Sequence, residues 1–353
     1  MKRDATNVRK IQHIKIINRD REVDRRKMYF DDVVLAHRAL PEIKLSDADP
    51  STSFLGKPLS FPLLISCMTG GDHNLVRKIN RNLAEAAEAT GVAMGVGSQR
   101  VLFTNPKSAS SFALRKYAPK ALLFGNLGAV QLNYGFGLRE CSEAVDVLDA
   151  DALCLHLNPL QEAVQPEGDT NFKDIAAKMG EVQTGLGVPV IAKEVGAGIG
   201  PADARLLLRH GIRIVDIAGS GGTSWSRIEH HRRDGADTGN AGIVFQDWGI
   251  PTPMALELLK PLRKRLALIA SGGVRNGLDM VKAVVLGASL CGIASPFLKP
   301  AMKSTKAVVQ VIEQLRRQFA TGMFLLGVKR VSHLQGRNDL ILGCKNQADS
   351  ARR

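Results

Sequence analysis

Aromatic side chains are scarce in this 353-residue chain: they make up 5% of it, with two Trp. That leaves few flat faces for a surface that stacks nucleobases. Cysteine is scarce as well. Cys67, Cys141, Cys154, Cys291 and Cys344 form no C-x-x-C pair and no zinc spacing. An odd count, with three of the five in apolar runs, reads as reduced, buried thiols of a cytoplasmic protein. Long apolar runs are missing. The uncharged stretch Ala283 to Leu298 is sixteen residues and holds Gly287, Gly292 and Pro296, so it is no membrane span. The opening MKRDATNVRK has no apolar core of a secretory signal. Also absent are G-x-G-x-x-G, H-E-x-x-H, G-x-S-x-G and a Ser-His-Asp spacing. These absences exclude the dinucleotide fingerprint, the zincin site and the nucleophile elbow.

What is present is an ordinary globular balance, 44% apolar and 23% charged, with 34 Gly and a net charge of +14. The basic excess lies at the ends. Residues 1–30 carry a net +6 and residues 314–353 another +6, so 31–313 carries only +2. A near-neutral middle argues against a nucleic-acid face and for solvated basic ends.

Short apolar runs recur along that middle: FPLLIS (61–66), VAMGVG (92–97), ALLFGN (121–126), DALCLHL (151–157), VPVIAK (188–193), IRIVDIA (212–218), LALIAS (266–271) and SLCGIA (289–294). Each has the length and the two-sided apolarity of a buried parallel strand. Between them lie helical stretches. NLVRKINRNLAEAAEATG places Leu75, Ile79 and Leu83 on one face and stops at Gly91; PADARLLLRHG enters at Pro201 and stops at Gly211; NGLDMVKAVVLG has Asn276 as its N-cap and stops at Gly287. Strand and helix alternating eight times predict an α/β fold, a (β/α)8 TIM barrel, in preference to a doubly wound sheet. The expected layout is an N-terminal extension over 1–60, the barrel over 61–322 with a long loop at 219–250 after strand six, and a basic C-terminal tail over 323–353.

In such barrels chemistry collects at the C-terminal ends of the strands. The residues just past each run are CMTGG, GSQR, GN, HLNPLQE, KEVGAG, GSGGTSW, SGGVR and ASPFLKP, which are polar, glycine-rich and varied. SGGVRNG after strand seven and ASPF after strand eight stand where barrels bind phosphate, with Gly272 and Gly273 admitting close backbone approach and Arg275 adding a fork of donors. Lys193 ends a fully apolar strand and is drawn toward the mouth. Asn126 and Ser98 can offer hydrogen bonds there. His156, Asn158, Gln161 and Glu162 share one loop; a single carboxylate among amides is too little for a closed metal cage but suits Mg²⁺ completed by substrate oxygens. His230 and His231 in EHHRRD read as a solvated loop, and Arg9, Lys10 and His13 as a short basic cluster.

Taken in order, RKIQHI, HRALPEI, FLGKPLSFPLLIS, MTGG, GVGSQR, HLNPLQE, KEVGAGI, GGTSW, FQDWGIPT, SGGVR and GIASPFLKPA resemble the motif set of the type 2 isopentenyl-diphosphate isomerase family, from about residue 9 to residue 302. The resemblance implies an FMN-containing barrel that interconverts isopentenyl and dimethylallyl diphosphate. It implies a Mg²⁺ requirement and flavin reduction by NADPH without net redox change. Met68, Thr69, Gly70, Ser98, Asn126, Lys193 and Thr223 would line the flavin. Gly273, Val274, Arg275, Ala294 and Ser295 would hold the FMN phosphate. Arg9, Lys10, Ser98, Gln99 and Arg100 would hold the substrate diphosphate, with His156 and Gln161 beside the substrate and Glu162 on Mg²⁺. Ala218 departs from the hydroxyl expected at that position. The implied partners are a small-molecule diphosphate and further copies of the chain, as a tetramer or octamer, with no nucleic acid and no membrane.

Two competing classes are weighed against it. A flavin-dependent 2-hydroxy acid oxidase needs a His late in the barrel, which GSGGTSW and SGGVR do not supply. An RNA-binding flavoprotein would need more than basic ends. The pocket offers no obvious strong acid–base pair, so the reduced flavin itself is expected to carry the proton shuttling.

Overall fold

The eight apolar runs become eight parallel strands because each is too apolar to leave either face in water. The structure is a computed structural model that describes residues 12, 13, 15–17, 19–25, 27, 29–68, 70–232 and 240–344. The strands are β1 (Leu63–Ile65), β2 (Ala93–Gly95), β3 (Leu123–Gly128), β4 (Ala152–Leu157), β5 (Val190–Glu194), β6 (Ile214–Asp216), β7 (Ala267–Ser271) and β8 (Leu290–Ile293). They close in chain order into one barrel, β8 pairing back onto β1 through Cys291↔Leu63 and Ile293↔Ile65. Each observed strand falls in an expected run, except that β3 extends two residues further, to Gly128, and β5 one residue further, to Glu194.

Helices surround the barrel: α1 (Asn74–Thr90), α2 (Leu138–Leu148), α3 (Pro159–Val164), α4 (Ile175–Gly185), α5 (Pro201–Arg209), α6 (Trp225–His230), α7 (Ala241–Val244), α8 (Thr252–Leu258), α9 (Gly277–Val285), α10 (Ser295–Lys303) and α11 (Thr305–Leu325). Gly91, at φ +67°, ends α1, and the Asn276 side chain accepts from Asp279 N–H to start α9. Both follow from the cap chemistry read in the sequence. The connection after β6, expected as a loop, carries α6 and α7.

Period-two alternation sorts the barrel interior into layers. Leu64, Ala93, Phe124, Ala152, Ile191, Ile214, Ile269 and Leu290 form an apolar cluster, closed at one end by Phe54 and Leu59 of the hairpin Thr52–Phe54/Lys57–Leu59. Two residues further along their strands stand Asn126, Cys154, Lys193, Asp216, Ser271 and Gly292. The polar layer therefore sits on the apolar one at the C-terminal mouth. Outside the barrel, Val33–Leu35 of the N-terminal extension pairs antiparallel with Ile341–Cys344.

Candidate active site

A cavity of about 370 Å³ opens at this mouth. Its floor is set by register. Lys193 and Asp216 are direct partners on β5 and β6, so the ammonium meets the carboxylate at 2.8 Å, with Ser271 Oγ 3.4 Å from Nζ. Ser271 in turn donates to Asp216 Oδ1. Burial works against the charge of Lys193, but Asp216 outweighs it and holds the amine above its ordinary range. Lys193 is thus a fixed cation in the floor. Cys67 also lines the cavity; a hydrogen bond with Cys154, followed by the nearby Lys193 charge, favours its thiolate, while that same bond and burial push Cys154 up.

One wall is built of glycine. The loops after β6 and β7 lock together so closely that a Cβ on Gly272 would lie 2.1 Å from Gly219 O, and one on Gly273 2.9 Å from Gly221 C. Both residues have positive φ, +87° and +79°, which glycine adopts without penalty. Val274, Arg275, Ala294 and Ser295 complete this wall, where α10 starts. The Arg275 guanidinium donates to Asp279 at 2.8 and 3.1 Å and to Asp31 at 2.6 and 3.2 Å. Ala218 is buried with φ +40° and lines the cavity.

The opposite wall comes from the ends of β3 and β4. His156 Nδ1 lies 2.7 Å from Asn126 Oδ1; since that oxygen accepts, Nδ1 carries the proton. The Asn126 amide also donates to Val96 O at 3.2 Å. On α3, Glu162 is buried and accepts from Asn158 Nδ2 at 2.8 Å, from Asp169 N–H at 2.7 Å and from Gln165 Nε2. Arg100 pairs with Asp169 at 2.9 Å. Gln161 Nε2 donates to Glu229 at 2.7 Å.

Met68, Ser98, Arg100, Asn126, His156, Gln161, Glu162, Lys193, Thr223, Gly273, Val274, Arg275, Ala294 and Ser295 are therefore brought to one cavity. Gln99 is not. Its side chain is fully buried beneath the mouth, donating to Ala144 O at 2.7 Å and accepting from Asn126 N–H at 2.8 Å; those two bonds use the amide that was expected to reach a diphosphate. Gly70 lies against the Phe112 ring, 2.3 Å from where its Cβ would stand. Arg9, Lys10 and Thr69 lie outside the described residues.

Sequence reasoning missed Asp216, Asp169 and Glu229. Asp216 sits inside an apolar run, the one signal that could have marked it. Glu229 was overlooked because its neighbours His230 and His231 read as a solvated loop. The segment is instead α6: Glu229 is fully buried and bonds His13 Nε2 at 3.1 Å, Gln161 and Arg232. Burial works against its charge, but the hydrogen bond from His13 and the charges of His13 and Arg232 prevail and hold the carboxyl at about 2. His230 is half-buried, and His231 is exposed beside Asp20 at 2.7 Å.

The cavity fits a flavin mononucleotide. Ser66 Oγ lines it, buried and without a hydrogen-bond partner, and the wall of Gly219, Gly221, Gly222, Gly272 and Gly273 presents backbone without side chains to the cavity, as close approach to a phosphate requires. Among the described residues no three His, Cys, Asp or Glu side chains cluster to hold a metal. No described helix is long and apolar enough to cross a membrane.

Comparison with known proteins agrees with this chemistry. The family described as FMN-dependent dehydrogenase matches residues 162–340. An isopentenyl-diphosphate delta-isomerase of Paracoccus zeaxanthinifaciens is 52% identical, covering 94% of this chain and 96% of its own. One from a Nostoc species is 45% identical over 94% of each. Among solved structures, a flavocytochrome b2 superposes with TM-score 0.62 at 20% identity over 94% of this chain and 78% of its own, and a mandelate oxidase with 0.58 at 17% over 94% and 91%. At that identity the likeness is one of fold. The chain belongs to the isopentenyl-diphosphate delta-isomerase family, in its FMN-dependent type, and is an isomerase.

Proposed function

We propose that the chain interconverts isopentenyl diphosphate and dimethylallyl diphosphate with reduced FMN and Mg²⁺. The reading is supported above all by one arrangement. A glycine wall suited to a phosphate and an Arg100–Glu162 wall suited to a second anion face one cavity, with the Lys193–Asp216 pair in the floor between them.

Gly273, Val274, Arg275, Ala294 and Ser295 hold the FMN phosphate, and Met68, Thr69, Gly70, Ser98, Asn126, Lys193 and Thr223 surround its ring system. When bound and reduced by NADPH, FMN supplies the proton donor and acceptor that move the double bond by one carbon. Lys193, kept charged by Asp216, stabilises negative charge on the neighbouring ring edge. His156, oriented by Asn126, and Gln161, oriented by Glu229, border the isoprene end and hold it in place. The alkene is weakly basic and its C–H is not acidic, so positioning is the protein's main share.

Arg9, Lys10, Ser98 and Arg100 bind the diphosphate, while Gln99 braces Asn126 from below. Glu162 would be the carboxylate that holds Mg²⁺; the amides of Asn158 and Gln165 orient it through their nitrogens, and their oxygens are buried without hydrogen-bond partners. A Mg²⁺ held there would take its other ligands from the diphosphate and water, as Mg²⁺ commonly requires. The functional layout is an extension over 1–60 that delivers the basic segment, a catalytic barrel over 61–322 and a basic tail over 323–353. A homo-oligomer, tetramer or octamer, and a cytoplasmic location complete the reading.

The decisive experiment incubates purified protein anaerobically with isopentenyl diphosphate, Mg²⁺ and NADPH and looks for the allylic isomer. Product is expected from the reduced form alone; equal turnover by oxidised protein would end the flavin acid–base role. Glu162→Gln is expected to weaken Mg²⁺-dependent diphosphate binding while retaining FMN. Unchanged Mg²⁺ dependence in that variant would remove Glu162 from the metal.

A further inference from the structure

The N-terminal extension brings carboxylates to the wall where an anion belongs. Residues 23–25 run along the loop after β6: Ser224 N–H donates to Val23 O at 2.7 Å, Arg25 N–H donates to Gly222 O at 3.2 Å, and Asp24 bridges antiparallel to Thr223. The buried Arg25 side chain anchors the segment, donating to Gln246 O at 2.7 Å and Gly196 O at 2.8 Å. Asp24 consequently lines the cavity. Its Oδ1 accepts from Thr223 Oγ1 at 2.9 Å and its Oδ2 from Ser295 Oγ at 2.7 Å. Further along the same extension, Asp31 takes the Arg275 guanidinium. Thr223, Arg275 and Ser295 come from three different barrel loops, and all three donate to a carboxylate of the extension.

We propose that Asp24 is an internal stand-in for the cofactor phosphate. In the FMN-free protein its carboxylate bridges the loops after β6 and β8 and keeps them spaced for an anion. It must release the Ser295 hydroxyl when the phosphate arrives, because two anions compete for one donor and repel each other across it. Asp24 therefore stabilises the empty site and weakens FMN binding, while leaving riboflavin, which has no phosphate, unaffected. The inference rests on the phosphate placement proposed above.

The test uses the full chain stripped of flavin. FMN and riboflavin are titrated by flavin fluorescence into wild type, Asp24→Asn, Asp24→Ala and Arg275→Gln. Both Asp24 variants are expected to bind FMN about tenfold more tightly, to bind riboflavin as wild type does, and to melt at a lower temperature without flavin. Either one decides should the other fail to fold. Unchanged or weaker FMN binding in the Asp24 variants, with Arg275→Gln losing FMN affinity alone, overturns the stand-in and retains the phosphate site. Arg275→Gln with undiminished FMN affinity refutes the phosphate placement, and the stand-in falls with it.

Discussion

Glu229 illustrates how much a single buried carboxylate can organise. It joins His13 of the extension, Gln161 of α3 and Arg232 beyond α6. Its folded carboxyl, held at about 2, lies below the ordinary 4.5. A depressed carboxyl contributes stability that is fully present above its unfolded value and is lost as pH falls through the folded one. Unfolding free energy is therefore expected to fall between roughly pH 4.5 and pH 2, and Glu229→Gln to flatten that fall. Urea titrations across that range check it; an unaltered acid slope in the variant would refute the role. Asp20, likewise lowered to about 2 although burial opposes it, through Arg227 and other hydrogen bonds, acts in the same window, so the slope flattens without vanishing.

At the scale of elements, register does the work. Lys193 and Asp216 meet because β5 and β6 are paired one-to-one, and neither can leave without stranding the other in a buried layer. Asp216→Ala is expected to cost about 3–5 kcal/mol, the usual price of an orphaned buried charge, read as a lower urea midpoint. A loss under about 1 kcal/mol would show that the ammonium finds water or another partner. Loops obey the same logic. Glu194 is buried, which raises its carboxyl, yet it accepts the backbone N–H groups of Val195, Gly196, Ala197 and Gly198 and so sets the turn KEVGAG.

For the molecule as a whole, a segment of the N-terminal extension and one near the end of the described residues are tied to each other outside the barrel. Val33 pairs with Cys344 and Leu35 with Ile341, and Lys329 O accepts from Asp49 N–H at 2.8 Å. The segment holding the extension across the mouth is thus braced by the C-terminal residues. Removing residues 341–353 is expected to lower the melting temperature by a few degrees and to leave flavin content unchanged. A melting temperature equal to wild type would show that the pairing contributes no stability.

The barrel was legible in the chain because parallel strands buried on both faces must be written as short apolar runs, and βα units impose their spacing on those runs. Cap and stop residues such as Gly91 and Asn276 act through local backbone geometry, so they too could be read directly. The strand-end motifs placed most of the candidate site for the same reason: the topology delivers every strand end to one mouth. Gln99 and Glu229 show where that reading stops. Whether a polar side chain faces a cavity or braces a neighbour depends on contacts 27 to 216 residues away along the chain. The pairing of Lys193 with Asp216 and the reach of Asp24 to Ser295 are likewise settled only when the barrel closes, because each joins groups that no local pattern relates.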